Sequence, residues 1–167
     1  MSNISIISQF SSEFEAEIPA TRKCVERIPE SLFTWKPHEK SMNMGYLTLL
    51  VAEIPKWLAT MIKIGEIDFQ TFKHPEPKTT NEMVGYLESN INDAKQAFKE
   101  LTIDQLSKSF MLKNGDQILF QSPLLENLSS TLNHWVHHRG QLTVYMRLNN
   151  IAVPSIYGPS ADEKGFG

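Results

Sequence analysis

Wound at 100° per residue, the segment after Pro123 gathers Leu125, Leu128, Leu132, Trp135, Val136, Leu142 and Met146 into one arc. That commits it to an amphipathic helix with one face on a core. Three more segments carry the same period. From Ile6 to about Ile28, the residues Ile6, Phe10, Phe14, Ile18, Cys24 and Val25 recur at mostly helical intervals, and Pro29 closes the run. Pro19 inside it removes a backbone donor, so a kink or a break is expected near Glu15. From Asn43 to about Lys63 the stripe is Leu47, Val51, Ile54, Leu58, Met61 and Ile62, with Gly65 as the stop. Pro55 bends this helix without interrupting its apolar face. Thr79 with Glu82 three positions on is a capping box. It opens a third helix through Met83, Leu87, Ile91, Ala94 and Phe98 that ends near Leu101.

The connections are equally marked. Pro29 to Lys40 holds two prolines and reads as a loop whose Phe33 and Trp35 plug the core, and Phe69 to Lys78, with Pro75 and Pro77, reads as a linker. Ser109 to Gln121 places two apolar runs around Asn114-Gly115, a dipeptide suited to a tight hairpin turn. Ser122 then serves as a cap and Pro123 as the first residue of the last helix. The stretch from Ile151 to Gly167 should lie against the helices and fray at its end. These elements predict an all-α fold, a four-helix bundle with a short extended excursion before the last helix, as a single domain over residues 1–167.

Composition narrows the partners. The net charge is −3 and the basic residues are scattered, which argues against a phosphate-tracking surface and so against nucleic acid. No apolar run approaches the roughly 20 residues of a membrane span. The start Met1-Ser-Asn-Ile-Ser lacks the pattern of a secretory leader, and the single cysteine, Cys24, has no internal partner. A soluble protein of the reducing cytoplasm is expected.

The last helix also carries the candidate chemistry. Three of the five histidines fall in His134-Trp135-Val136-His137-His138. Residues four apart share a helix face, so His134 and His138 can address one centre with metal-ligand spacing, while His137 projects toward solvent. Asn127, Thr131, His134, His138, Gln141 and Tyr145 form a polar strip along the edge of the apolar arc, where bundles build metal and ligand sites. Two imidazoles alone are more often a hydrogen-bonded pair than a metal site. His38 and His74, in proline-flanked loops, are poor third ligands. Arg139 projects into the apolar arc and needs a carboxylate, for which Glu53 is the best candidate; a subunit interface is the alternative. Gly140 beside it would admit a neighbouring helix.

The string His134-x-x-His137-His138-Arg139-Gly140-Gln141, with Val153-Pro-Ser-Ile-Tyr-Gly-Pro-Ser-Ala-Asp-Glu after it, resembles the DinB superfamily. Trp35-Lys-Pro-His-Glu-Lys-Ser-Met and Ala52-Glu-Ile-Pro-Lys-Trp resemble it too, so the likeness spans essentially the whole chain. It implies a four-helix bundle, commonly homodimeric. It also implies a divalent metal such as zinc or nickel held by one histidine of the second helix and two of the last. His134 and His138 match that pair, but the second-helix position falls on Leu50, which cannot ligate. Metal binding is therefore expected to be weak or absent. Glu53, one turn on, could substitute as a ligand or serve Arg139, and not easily both.

The resemblance further implies metal-dependent thiol transferases that use low-molecular-weight thiols, where a metal turns the thiol into a thiolate. Two kinds of function compete on this reading. One is a metal-dependent transferase or hydrolase with His134 and His138 as ligands. The other is a metal-free binding or dimerising bundle, in which Leu50, Glu53, Trp57, Gln141 and Tyr145 surround the histidines in a pocket for a small molecule.

Overall fold

The computed structural model describes residues 5–165. Residues 1–4, 166 and 167, on which the expectations about the chain's start and end partly fall, lie outside the described residues. Four long helices, α1 (Ile6–Glu26), α2 (Met44–Ile64), α3 (Thr80–Glu100) and α5 (Leu124–Leu148), carry the chain, with a single turn α4 (Ile103–Leu106) after α3. α2 and α3 begin where their local chemistry places them. Asn43 accepts from Tyr46 N–H at 2.7 Å, and Thr79 and Glu82 close the expected capping box. Gly65 ends α2 in the left-handed region, with φ +81°. Neither Pro19 nor Pro55 breaks its helix. The last helix differs at its start: Pro123 is the cap residue, and Ser122 belongs to the strand before it.

α2 packs against α3 and α5, and α1 against the same two, so the apolar stripes of all four meet in one core. Leu47, Leu58, Leu87 and Leu128 are fully buried in it, each contributing about 1.5–3 kcal/mol from water exclusion. Phe14 stacks on Trp135 at 5.1 Å, and the Trp135 indole N–H donates to Val51 O at 2.8 Å, which ties α5 to α2. Phe33 closes on the start of α2 so tightly that a Cβ on Gly45 would stand 2.9 Å from it. At Gly140 a Cβ would meet nothing within 4 Å, so this glycine does not admit a neighbouring helix.

The expectation of an all-α chain is corrected by a small sheet. Strand β1 (Glu66–Asp68) pairs in parallel with β2 (Ser109–Asn114), and β2 pairs antiparallel with β3 (Gln117–Pro123). The hairpin is where Asn114-Gly115 suggested, but its two loop residues are Gly115 and Asp116, with φ +62° at the glycine. That suits the first loop position of a two-residue turn. Asp68 accepts from Gly115 N–H at 2.9 Å and fastens the turn to β1. The sheet therefore covers the end of α2 and the beginning of α5, and the segment after β1 folds back along α2.

Candidate functional site

His134 and His138 stand one turn apart on α5, with their Nε2 atoms 2.7 Å apart. Only one of the two can give a hydrogen. The amide oxygen of Gln141 lies 2.8 Å from His138 Nδ1, and an oxygen can only accept, so Nδ1 carries the hydrogen. The lone pair of His138 Nε2 then accepts from His134 Nε2–H, which leaves a lone pair on His134 Nδ1. Burial pushes both imidazoles below the ordinary histidine range. The neighbouring charges of His138 and His137 lower His134 further, while the Gln141 hydrogen bond works against burial at His138. His137 is exposed, as its projection required.

The other candidate residues do not all gather here. Trp57 does, its ring 5.5 Å from that of His134. Leu50 is half-buried two turns before Trp57 on the same stripe of α2. Since α2 and α5 run antiparallel, it falls toward the His138 side. Gln141 reaches the pair through His138, but Tyr145 turns away: its hydroxyl donates to Met42 O at 3.2 Å and its ring meets the Trp35 ring edge-on. Gln141 and Tyr145 border a different depression, with Lys40 and Met42.

The expected ion pair between Arg139 and Glu53 is not formed. Arg139 turns to α1, where its Nη1 is 2.5 Å from Glu17 Oε2 and donates to Glu17 O and Thr21 Oγ1. Arg139 Nε and Glu17 Oε2 make no hydrogen bond among the described residues, so that contact acts through charge. Glu53, one turn before Trp57 on α2, is 1% exposed and accepts three hydrogens. They come from Trp57 Nε1 at 3.1 Å, Tyr86 OH at 3.1 Å, and His74 Nδ1 at 2.8 and 2.9 Å from its two oxygens. Burial first and the Glu53 charge second push the Tyr86 phenol up.

His74 is the candidate site residue that helical reasoning missed. It sits between Phe72 and Pro75 in a segment without period, and nothing local indicates that this loop returns to α2. A carboxylate has no hydrogen to give, so His74 Nδ1 is the donor, and in the neutral ring Nε2 keeps a lone pair. His74 and His134 both border a cavity of about 280 Å³ whose other walls include Trp57, Phe69, Phe72, Phe110 and Phe120. The sheet and the segment after β1 thus close over the Trp57 end of the histidine pair.

The donor set does not complete a three-histidine metal group. Among the described residues no group of three or more His, Cys, Asp or Glu side chains could hold a metal ion. His134 and His138 are two donors, Leu50 has none, and both oxygens of Glu53 already accept hydrogens.

The DinB family model matches residues 1–164. The chain is 24% identical over 163 residues to the uncharacterized protein YrdA of Bacillus subtilis, covering 94% of this chain and 91% of that protein. It is likewise 24% identical over 140 residues to YjoA of Bacillus subtilis, covering 84% and 88%. The crystal structure of the DinB-like YjoA superposes with a TM-score of 0.69 at 22% identity, over 87% of this chain and 95% of that one. A DinB-like protein of Bacillus cereus gives a TM-score of 0.69 at 19% identity, over 89% and 95%.

Proposed function

Since the chain belongs to the DinB family, we propose that it is a small-molecule-binding protein on that family's four-helix bundle, with its ligand in the cavity between Trp57, His74, Phe120 and His134. The observation that carries this reading is the cavity itself, about 280 Å³, with mostly apolar walls and a few polar side chains, His74, His134, Asn127 and Thr131. Binding pockets combine an apolar lining with a few placed polar groups in this way. Thermal shift of the purified chain against a panel of metabolites and thiols tests it. A ligand should stabilise the protein, by about 2.7 kcal/mol at a hundredfold excess over Kd, and the effect should vanish in His134→Ala and persist in His137→Ala. A panel without any hit, or equal loss in both variants, would overturn the reading.

A second reading keeps zinc or nickel between His134 and His138, with the remaining positions filled by solvent or a low-molecular-weight thiol. Gln141 favours it, because a hydrogen bond at His138 Nδ1 is the partner that metal-bound imidazoles commonly have. Activity of a transferase or hydrolase type belongs to this reading alone. Metal content after gel filtration of tag-free protein decides between the two, since the enzyme requires a stoichiometric ion. Both readings describe a cytoplasmic protein, in which a free, buried Cys24 is ordinary, and a homodimer whose mass gel filtration would report.

A further inference from the structure

The hydrogens on the cavity wall are already committed. His74 gives its Nδ1 hydrogen to Glu53, and His134 gives its Nε2 hydrogen to His138. Asn127 Nδ2 donates to Ser122 Oγ at 2.6 Å and to Pro123 O at 2.9 Å, and the Thr131 hydroxyl donates to Met61 Sδ at 3.6 Å. What remains for a ligand is lone pairs: His74 Nε2, His134 Nδ1 and Asn127 Oδ1. Among the described residues no Lys or Arg borders this cavity. The nearby Lys56 ammonium lies over the Phe72 ring at 4.4 Å, donates to Lys73 O and lines another depression. A carboxylate or phosphate would therefore set acceptor against acceptor with no cation to hold it, which costs the desolvation of both. The aromatic walls favour a flat ring, which they meet by stacking or edge-on contact.

We propose that this cavity selects small planar aromatic molecules bearing a hydroxyl, phenols in chemical class, whose hydrogen is accepted by His74 Nε2. The proposal rests on the pocket reading above and adds the ligand's chemistry to it. Glu53 is the positioning residue. Buried and holding His74 through both oxygens, it fixes the tautomer that presents a lone pair and holds the ring in place against the half-exposed setting of its side chain. Trp57 and Tyr86 fix Glu53 in turn, so the acceptor is preorganised by three hydrogen bonds rather than by His74 alone.

Three probes of one shape test this by calorimetric titration of the full chain: 4-methylphenol, 4-methylanisole, which lacks the hydroxyl hydrogen, and 4-methylbenzoate, which carries only acceptors. The pH is held at about 8, above the ordinary histidine range and below that in which a phenol ionises. The phenol should bind about tenfold more tightly than the anisole, the factor expected of one well-placed hydrogen bond, and the benzoate should bind most weakly. His74→Asn retains an amide N–H for Glu53 and removes Nε2. It should bring 4-methylphenol down to the affinity of 4-methylanisole and leave the anisole unchanged, with circular dichroism and the melting temperature verifying the fold. Equal binding of phenol and anisole by the natural chain, or an unaltered preference in His74→Asn, would overturn the selectivity and leave the pocket standing. Failure of all three probes to bind would overturn the selectivity and the pocket together.

Discussion

Arg139 of α5 ends against Glu17 of α1, and Tyr157 of the C-terminal segment joins the pair by accepting from Arg139 Nη2 and donating to Glu17 Oε1, both at 2.9 Å. Arg139 is 2% exposed, so this pair is a buried charge contact between two helices and the chain's last segment. Removing one member leaves the other charged and unpartnered, which costs about 3–5 kcal/mol. Arg139→Met should lower the unfolding free energy, read by urea titration, by that amount. The double variant Arg139→Met/Glu17→Leu should recover a large part of it, because no orphan charge remains. Additive losses in the double variant would show that the two residues do not act as a pair.

The wrong partner expected for Arg139 marks the boundary of what this sequence discloses. Caps at Asn43 and Thr79, the stop at Gly65 and the stripes of α2 and α3 are local signals, and each helix starts and ends close to where they put it. The hairpin was legible for the same reason. Strand β1 was not, since three residues carry no period and their partner β2 lies more than forty positions away. The projection of α5 correctly buried Arg139, but which helix supplies the carboxylate depends on how α1 and α2 are arranged around α5, and periodicity is silent on that. His74 escaped for a related reason. Its role comes from the path of a proline-rich segment back to Glu53, a tertiary fact without a local pattern.

Glu53→Gln isolates that tertiary fact. The carboxylate accepts from Trp57, Tyr86 and His74, whereas a carboxamide has one oxygen and turns two hydrogens toward those same donors. A loss of about 1–3 kcal/mol in unfolding free energy is expected. Trp57 should also respond, its fluorescence shifting as the indole N–H loses its acceptor. An unchanged spectrum with unchanged stability would mean that the Glu53 cluster is not held as described.

The histidine pair makes stability depend on pH, and the sign follows from the direction of the shifts. Both imidazoles titrate lower in the folded chain than the ordinary value of 6.5. As pH falls below about 6.5 the unfolded chain takes up protons first, so folding weakens until the folded pKa values have been passed. Above 6.5 both states are neutral here and the effect is absent. Chemical unfolding between pH 7.5 and 5 should show this decline, and it should be shallower in His134→Gln, which removes one imidazole and relieves its neighbour. An equally steep decline in the variant would place its origin elsewhere.

Leu50→His tests where the missing donor of the metal group would stand. Leu50 lies two turns before Trp57 on one stripe of α2, Trp57 touches His134, and α5 runs antiparallel beside it, so a histidine at position 50 enters the space next to His138. His138 already presents Nε2, because Gln141 holds its other nitrogen. Three imidazoles with an open fourth position are a sufficient set for zinc, whereas two are not. Zinc affinity, read by competition with a chromophoric chelator, should therefore rise by at least about tenfold over the natural chain. It should return to the natural value in Leu50→His/His138→Ala. Protein that gains the histidine without gaining affinity would show that position 50 does not share a centre with His134 and His138, and the stripe argument for α2 would fail with it.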